Sequence, residues 1–539
     1  RILPSVRSRD RPAAHERPPE VPDDAALEAA GAVIGTIRLE QRNVFDTAVP
    51  EEDTVLFGLA NRLRIVTRES TIASQLLFKT GDRYDARLLR ESERLLRTRR
   101  YLRDAHIRPV ALHDNVVDLE IATQDTWSLD PEIWYSRKGG ANSGGIGLEE
   151  SNLLGFGSEL AVGYRNDVDR DGQVVRYRDP HLFGSRWQLE TEYADNSDGT
   201  VKKLAIERPF YALDARWSAG LAWRNERRVD SVYDNGNVVA RFGTHERVGT
   251  VYGGTSAGLH DGSATRWTFG VTHDERQASQ VDPVPGPLPA DRKLIYPWIG
   301  FEWIEDDFRA TRNLRQIGRT EDYAFGWHVQ LRLGRALRGL GSDRNATVFE
   351  ADVTKALTDG DAHTLLLGAT TSGRVEGGTP VDTLVGVTVQ HHWRQSARRK
   401  LFTSVQADQG KNLDIDQQLT LGGDNGLRGY PQRYRSGQGR WLFTIEHRWY
   451  TDWFPFRLFN VGAAVFYDMG GTSGSSVVAG APPPLPGQSG TLRDVGFGLR
   501  LGNNRLAFGN VVHIDIAFPL DGDASIDKVQ VNIEGKKSF

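Results

Sequence analysis

From about residue 130 to the end of the chain, hydrophobic positions recur every second residue. They form some eighteen or nineteen runs separated by clusters of Gly, Asp, Asn and Pro, the signature of successive β-strands joined by turns. The C-terminal runs are the clearest. In 441–450, Trp441, Phe443, Ile445 and Trp449 take one face, interrupted by His447, and Thr444, Glu446 and Arg448 take the other. In 459–470, Phe459, Val461, Ala463, Val465 and Tyr467 oppose Asn460, Gly462, Ala464 and Asp468. Val495, Phe497, Leu499 and Leu501 alternate with Gly496, Gly498 and Arg500, and Ile514, Ile516 and Phe518 with His513 and Asp515. The last run sets Val529, Val531 and Ile533 against Lys528, Gln530 and Asn532. A one-residue slip would reverse every one of these faces, so the strand faces are well specified.

Ahead of this region the periodicity is mixed. Residues 1–30 are rich in Pro and charge and predict a flexible tail. Over 31–125 the order is β-α-α-β-β. Ile37 and Leu39 alternate with polar neighbours; a first helix is expected over about 68–79, capped by Thr67 or Ser70 and stopped by Gly81. A second helix follows Asp85, with Leu88, Leu89, Leu95 and Leu96 on one stripe. Strands are then expected at Ala105–Leu112 and around Val117, Leu119 and Ile121. The basic run Arg97–Arg103 is read as a solvated helix face rather than a binding patch.

Composition changes the picture in one respect: it leaves open what solvent the apolar face meets. Mean hydropathy is −0.47 and no uncharged apolar run approaches the roughly 20 residues of a spanning helix. A transmembrane β-barrel is equally hydrophilic on average, because polar lumenal residues alternate with apolar lipid-facing ones. A β-sandwich would also alternate. Lipid is favoured because the polar face is rich in Gly and charge, because Trp187, Trp217, Trp298, Trp303, Trp441, Trp449 and Trp453 gather near strand ends, and because Phe539 stands in phase with the apolar face of the last run. The chain has 57 Gly and no Cys, which excludes disulfides, zinc-thiolate sites and cysteine nucleophiles. A net charge of −4 offers nothing to nucleic acid. The chain opens at Arg1 and its one methionine is Met469, so a removed leader or longer segment is expected.

Three features stand apart as candidate chemistry. The run Leu421-Gly422-Gly423-Asp424-Asn425-Gly426-Leu427-Arg428-Gly429-Tyr430 carries an arginine between glycines; Phe466-Tyr467-Asp468-Met469-Gly470 follows on a strand; Glu446 lies on the strand between them. Alternation points Glu446 and Asp468 inward from adjacent strands, where an arginine's planar fork could meet both. Gly429 and Gly426 would allow tight backbone inside a crowded lumen. These motifs, their order and the β-α-α-β-β module resemble the BamA/TamA superfamily, in which a POTRA domain precedes a surface-antigen-type barrel. The resemblance implies a transmembrane antiparallel barrel of 16 strands over 130–539, a POTRA-like domain over 31–125 on the periplasmic side, and a loop at 421–440 folded into the lumen, with five strands following it. It also implies a functional lock of Arg428, Gly429 and Tyr430 with Glu446 and Asp468. A lateral seam is expected between a Gly-rich first strand (Gly145, Gly147) and the last (Val529, Val531, Ile533, Phe539), although those glycines could merely relieve crowding at a hairpin. The implied function is insertion or translocation of polypeptides at the bacterial outer membrane, with outer-membrane lipid, unfolded polypeptides and a possible periplasmic protein as partners and no cofactor. A dedicated partner-secretion pore and a passive pore or receptor are the alternatives. His391-His392 places its rings on opposite faces, Asp521-Gly522-Asp523 reads as a turn, and no motif argues for an enzyme.

Overall fold

The computed structural model describes residues 17–46, 49–50, 52–234, 236–281, 288–317, 319–360, 362–474, 490–503, 505, 511–522 and 526–536. They form a small α+β module followed by a closed β-barrel. The module's sheet comprises β1 (Val33–Arg42), β2 (Leu102–His113) and β3 (Val116–Asp125), with β3 central, parallel to β1 and antiparallel to β2. Val117, Leu119 and Ile121 alternate into the core, where they meet Ile72, Leu89 and Leu96. The helices are α1 (Asp24–Ala29), α2 (Val55–Leu63), α3 (Glu69–Ala73) and α4 (Ala86–Arg97). The Asp85 carboxylate caps α4 by accepting from the Arg87 and Leu88 amides.

Three expectations for this region are corrected. Residues 17–30 are not a tail: Asp23 caps α1, and Val21 and Leu27 enter the core. The helix expected over 68–79 stops at Ala73, because nearby side chains take amides a longer helix would use; Ser92 accepts from Leu77 and Asp82 from Lys79. A separate helix, α2, starts at Thr54, whose hydroxyl caps it. The basic run Arg97–Arg103 is not solvated either. Arg97 makes a two-pronged pair with Asp322 of the barrel at 2.7 and 2.7 Å, Arg99 donates to Gln75 at 2.6 Å, and Arg100 pairs with Glu149 and Glu159. This face docks the module onto the barrel.

The barrel contains 20 antiparallel strands rather than 16. It runs from Leu129–Lys138, the first strand, to Gln530–Lys536, the last, with neighbours in chain order. An even count returns the last strand to the end where the first begins, next to the module. Five strands follow the 412–438 loop as expected; the four additional strands all precede it. The chain's own alternation lay nearer to this fold than the strand number carried by the resemblance. The wall is apolar outside and charged inside. Ile133, Ile146, Val251, Phe269, Leu333 and Phe497 are each more than half exposed on the outer face, whereas Arg276, Arg292, Arg374, Glu446, Asp468 and Arg500 are buried on the inner one. Trp298, expected in an outer aromatic ring, instead points inward and donates to Thr272 at 3.1 Å.

One insertion enters the lumen from the module end. Between the tenth strand (Arg292–Glu305) and the eleventh (His328–Ala336), Phe308–Arg312 and Thr320–Ala324 pair as a hairpin. Its bend is held by Glu321, whose carboxylate accepts the amides of Leu314, Arg315 and Gln316 at 2.9–3.1 Å. Ile317 then buries against Tyr450, Ala464 and Val511 of the inner wall, and Lys400 donates to the carbonyls of Asn313 and Leu314. The outer part of the hairpin meets the module: besides the Arg97–Asp322 pair, the Arg94 guanidinium lies 3.5 Å over the Phe308 ring and Thr320 donates to Asp104 at 3.2 Å. The hairpin therefore links module and lumen.

These contacts lead to two expected outcomes. Asp322→Ala leaves Arg97 buried without its bidentate partner, a change of about 3 kcal/mol; hydrogen exchange in β2 should accelerate while the barrel's far strands keep their protection. The second concerns Asp125, which burial pushes up to about 6 even with Arg64 beside it. A carboxyl raised above its unfolded value of about 3.9 contributes stability in full below that pH, and the contribution is lost as pH rises through about 6. The urea midpoint of the module should accordingly fall between pH 4 and 7, and Asp125→Asn should flatten that slope.

Candidate functional site

The loop 412–438 connects the fifteenth strand (Arg399–Lys411) to the sixteenth (Gly439–Tyr450) at the end far from the module, and turns back into the lumen. Its root is tied to the wall by charge. Asp414 pairs with Arg292 at 2.8 Å and with both nitrogens of the Arg374 fork, Asp416 pairs with Arg276, and the Gln418 amide exchanges hydrogen bonds with the Tyr233 backbone. Leu419–Leu421 and Arg435–Gly437 pair as a short ladder, so the tip emerges as a hairpin. The tip is compact because Asn425 takes the Gly422 amide and donates to the Thr420 carbonyl. Leu421, Leu427, Tyr430 and Tyr434 pack with Leu492 of the wall and with Ile526, in the connection between the nineteenth and twentieth strands. This apolar cluster keeps water from what lies beneath it.

Beneath it sits Arg428, with a side chain 9% exposed. Its fork meets Asp468 at 2.7 and 3.1 Å, Glu446 at 2.8 Å and Asp515 at 3.4 Å, and its guanidinium lies 3.3 Å over the Phe466 ring. Glu446 also takes Arg448 at 2.9 Å and Arg500 at 3.3 Å; Arg500, fully buried, reaches Asp515 at 2.5 Å. Gly429 donates its amide to Asp494 at 3.0 Å, and an added Cβ there would stand 2.6 Å from the Asp494 Cβ. Gly426 has φ +131, where a side chain would strain the backbone and strike Leu442. The Tyr430 hydroxyl donates to the Arg493 carbonyl at 2.7 Å.

The carboxylates come from four consecutive strands: Glu446 from the sixteenth, Asp468 from the seventeenth (Asn460–Ser473), Asp494 from the eighteenth (Leu492–Gly502) and Asp515 from the nineteenth (Val511–Pro519). Three guanidiniums stand among four carboxylates. Asp515, Asp494, Arg448 and Arg500 were not singled out from the sequence, and Phe466 was noted only as part of a motif. Alternation had put Asp515 and Arg500 on polar faces, but only the register between strands shows that they converge.

The loop also reaches the barrel's closure. Asn532, on the last strand, donates to the Arg428 carbonyl at 2.7 Å and accepts the amide of Gly139, in the turn after the first strand, at 3.1 Å. Gln432 of the loop donates to the Gly139 carbonyl at 3.1 Å. Between the first and last strands themselves, the described residues give a single registered pair, Ile533 with Arg137; the next-shortest ladders in the barrel hold seven. Lys138 and Glu534 add an ion pair across this seam. Of the residues expected there, Ile533 forms that pair, Val531 lies on the last strand and Val529 just ahead of it. Gly145 and Gly147 do not: they belong to the second strand (Ala141–Leu153), opposite Trp134 and Glu132. The true first strand contains Pro131, a residue without an amide N–H that suits a position on a weakly paired strand. Phe539 lies outside the described residues.

Fold and site together define a closed antiparallel barrel filled by its own insertions and held by a buried arginine. No protein-family model and no curated protein matches the chain. Among solved structures it is similar to CdiB from Acinetobacter baumannii (14% identity over 94% of this chain and 74% of that one, TM-score 0.46) and CdiB from Escherichia coli (14%, 94% and 76%, TM-score 0.47). It is also similar to BamA from Haemophilus ducreyi lacking POTRA domains 1–3 (13%, 93% and 84%, TM-score 0.38).

Arg428→Ala should leave the barrel assembled but release the loop. It strands buried carboxylates, at about 3–5 kcal/mol for a desolvated pair. Protease cleavage within 431–436, blocked in the parent, should become rapid. Arg428→Lys, a point charge without the fork, should fall between the two.

Proposed function

We propose that the chain is a bacterial outer-membrane barrel that inserts or translocates polypeptides, opening at the seam between its first and last strands when the Arg428 loop lets go. The observation that carries this reading is Asn532. One side chain holds the loop through the Arg428 carbonyl and holds the first hairpin through the Gly139 amide, so the lock and the seam share a hydrogen-bonding hub. Undocking the loop removes contacts that supplement a seam with one registered pair among the described residues. A strand so poorly paired offers free backbone donors and acceptors to an incoming extended segment, which is β-augmentation.

Membrane placement is supported by the exposed apolar belt on the wall's outer face, a surface that water would penalise and acyl chains would not. The bilayer is then outer-membrane lipid, and the module, at the end where both first and last strands terminate, stands in the periplasm. Its sheet of three strands with β3 central, and the pair of helices α3 and α4 that follow the added α2 between β1 and β2, support reading it as a POTRA-like domain that could receive unfolded polypeptide or a periplasmic partner. The function needs no bond-making chemistry and no cofactor; folding of the substrate supplies the drive.

The absence of cysteine from the chain makes the test clean. Arg137→Cys combined with Ile533→Cys places thiols on the registered pair of the seam. In proteoliposomes presented with an unfolded outer-membrane polypeptide, oxidation should arrest assembly and reductant should restore it. Undiminished turnover with the seam crosslinked would sink the seam mechanism and point to passage through the lumen, as a partner-secretion pore would use.

A further inference from the structure

The outer wall changes character along one level line on the sixth (Gly199–Arg208), seventh (Trp217–Asp234), eighth (Asn237–His260), ninth (Ser263–Gln280) and tenth strands. Nearer the module its outward positions are apolar: Ile206 and Leu204, Leu221 and Trp223, Phe269 and Val271, Ile299 and Ile295. Farther out they turn polar, and register sets one residue of each strand in a single row. Lys202 stands opposite Asn225, Asn225 opposite Arg247, Arg247 opposite Glu275 and Glu275 opposite Lys293. A boundary that stays level across five strands marks where the apolar belt ends on the side away from the module.

The row is unbalanced in charge. Lys202, Lys293 and Arg227, the next outward position above Asn225, are exposed and form no ion pair among the described residues. Arg247 reaches Glu275 at 3.6 Å and Gln277 at 3.3 Å. Against these four cations the neighbouring outward positions offer the carboxylates of Glu275 and Asp195. Directly below Arg247 the eighth strand turns Gly249, Val251 and Gly253 outward. A shallow groove therefore runs down the wall between Leu221 and Trp223 on one side and Phe269 and Val271 on the other. Packing does not demand these glycines. An added Cβ would meet nothing nearer than Trp223 Cδ1 at 3.9 Å for Gly249 and the Ser218 carbonyl at 3.8 Å for Gly253. Above the row the wall rises further. Asn237 lies ten residues beyond Arg247, roughly 30 Å of strand, and Arg227, Ser231, Arg241, His245 and Gln277 face outward over that stretch.

Ammonium and guanidinium donors above an apolar groove fit an acylated phosphate, with its oxygens at the row and a chain in the groove. The rising polar wall distinguishes the headgroup: a compact phospholipid headgroup would leave it in water, whereas sugars would lie along it. We infer that Lys202, Arg227, Arg247 and Lys293 seat the phosphates of a phosphorylated glycolipid in the leaflet away from the module, one acyl chain running over Gly249 and Gly253. The site stands half-way round the barrel from the seam, so the lipid holds the fixed wall and leaves the gate free. The inference rests on the membrane placement proposed above, and the experiment separates the two.

The full chain in detergent is mixed with lipid A, a phosphorylated diglucosamine lipid, with phosphatidylglycerol or with inorganic phosphate, and retained ligand is read by native mass spectrometry. Lipid A should be retained, phosphatidylglycerol more weakly and phosphate not at all. Lys202→Glu combined with Lys293→Glu removes cations that hold nothing in the protein, and should weaken lipid A binding roughly tenfold or more. Gly249→Leu, which fills the groove without changing charge, should weaken it as well. Lipid A binding that neither variant alters overturns the site. Loss in the charge variant with full binding to Gly249→Leu overturns the groove. Phosphatidylglycerol held as tightly as lipid A overturns the glycolipid, and retained inorganic phosphate overturns a lipid as the occupant. A polarity-sensitive dye on Ile146→Cys, in vesicles with brominated acyl chains, reports the membrane placement separately. No quenching there overturns that placement and the site with it; quenching there without lipid A binding overturns the site alone.

Discussion

The constraint on which the rest depends is the positive charge of Arg428 in a place water scarcely reaches. A guanidinium removed from water must be matched by anions with good geometry, or the desolvation penalty expels it. Here the match is assembled from three strands and one loop, with Asp468 taking the fork and Glu446 and Asp515 completing the shell. Because side chains alternate along a strand, a slip of one residue in any of these strands would turn its carboxylate onto the apolar outer wall. Loop docking and strand register therefore specify each other. Arg448 and Arg500 act in the complementary sense. Four carboxylates this close would repel one another without further positive charge; Arg448 pairs with Glu446, and Arg500 bridges Glu446 and Asp515.

That lock explains how a barrel can keep a weak seam and still be closed. Among the described residues the seam holds one registered pair, fewer than any other interface in the wall. The loop adds contacts there through Gln432, Gly139 and Asn532. Part of the hold on the seam thus comes from the loop as well as from the strands themselves, an arrangement that, on the function proposed above, allows opening without unfolding.

Much of this could be read in the sequence, and what could not has definite physical causes. Period-two alternation is a local property, so it gave the barrel and the inward direction of Glu446 and Asp468. Convergence is a property of register, which is non-local, so Asp515, Arg448 and Arg500 stood on correct faces without being connected to the arginine, and Asp494 was not placed at all. The family resemblance, strong around Arg428, misled where it was weak: it supplied 16 strands and put the first strand at Gly145, whereas the chain has 20 and starts its wall at Leu129. The hairpin at 308–324 was invisible because its strands are short and its bend is organised by one acid, Glu321, rather than by a turn motif. For the same reason Arg97 looked solvated: its partner, Asp322, lies 225 residues away.

Barrel size ties these omissions together. Diameter grows with strand number, and barrels of 16–18 strands already leave an aqueous channel unless something fills them. A wall of 20 strands is too wide for a loop anchored on one side to obstruct. The chain meets this from both ends and on both walls. The hairpin brings Ile317 in from the module end, while the loop is fixed at its tip to the sixteenth to nineteenth strands and at its root to Arg276, Arg292 and Arg374 on strands that precede it. The second set of anchors is what a wider lumen requires, because a tip held only by Arg428 would leave the opposite wall uncovered. Enlarging the barrel and stitching Asp414 and Asp416 to its earlier strands are accordingly one structural adjustment, and the module-linked hairpin is its counterpart at the other end.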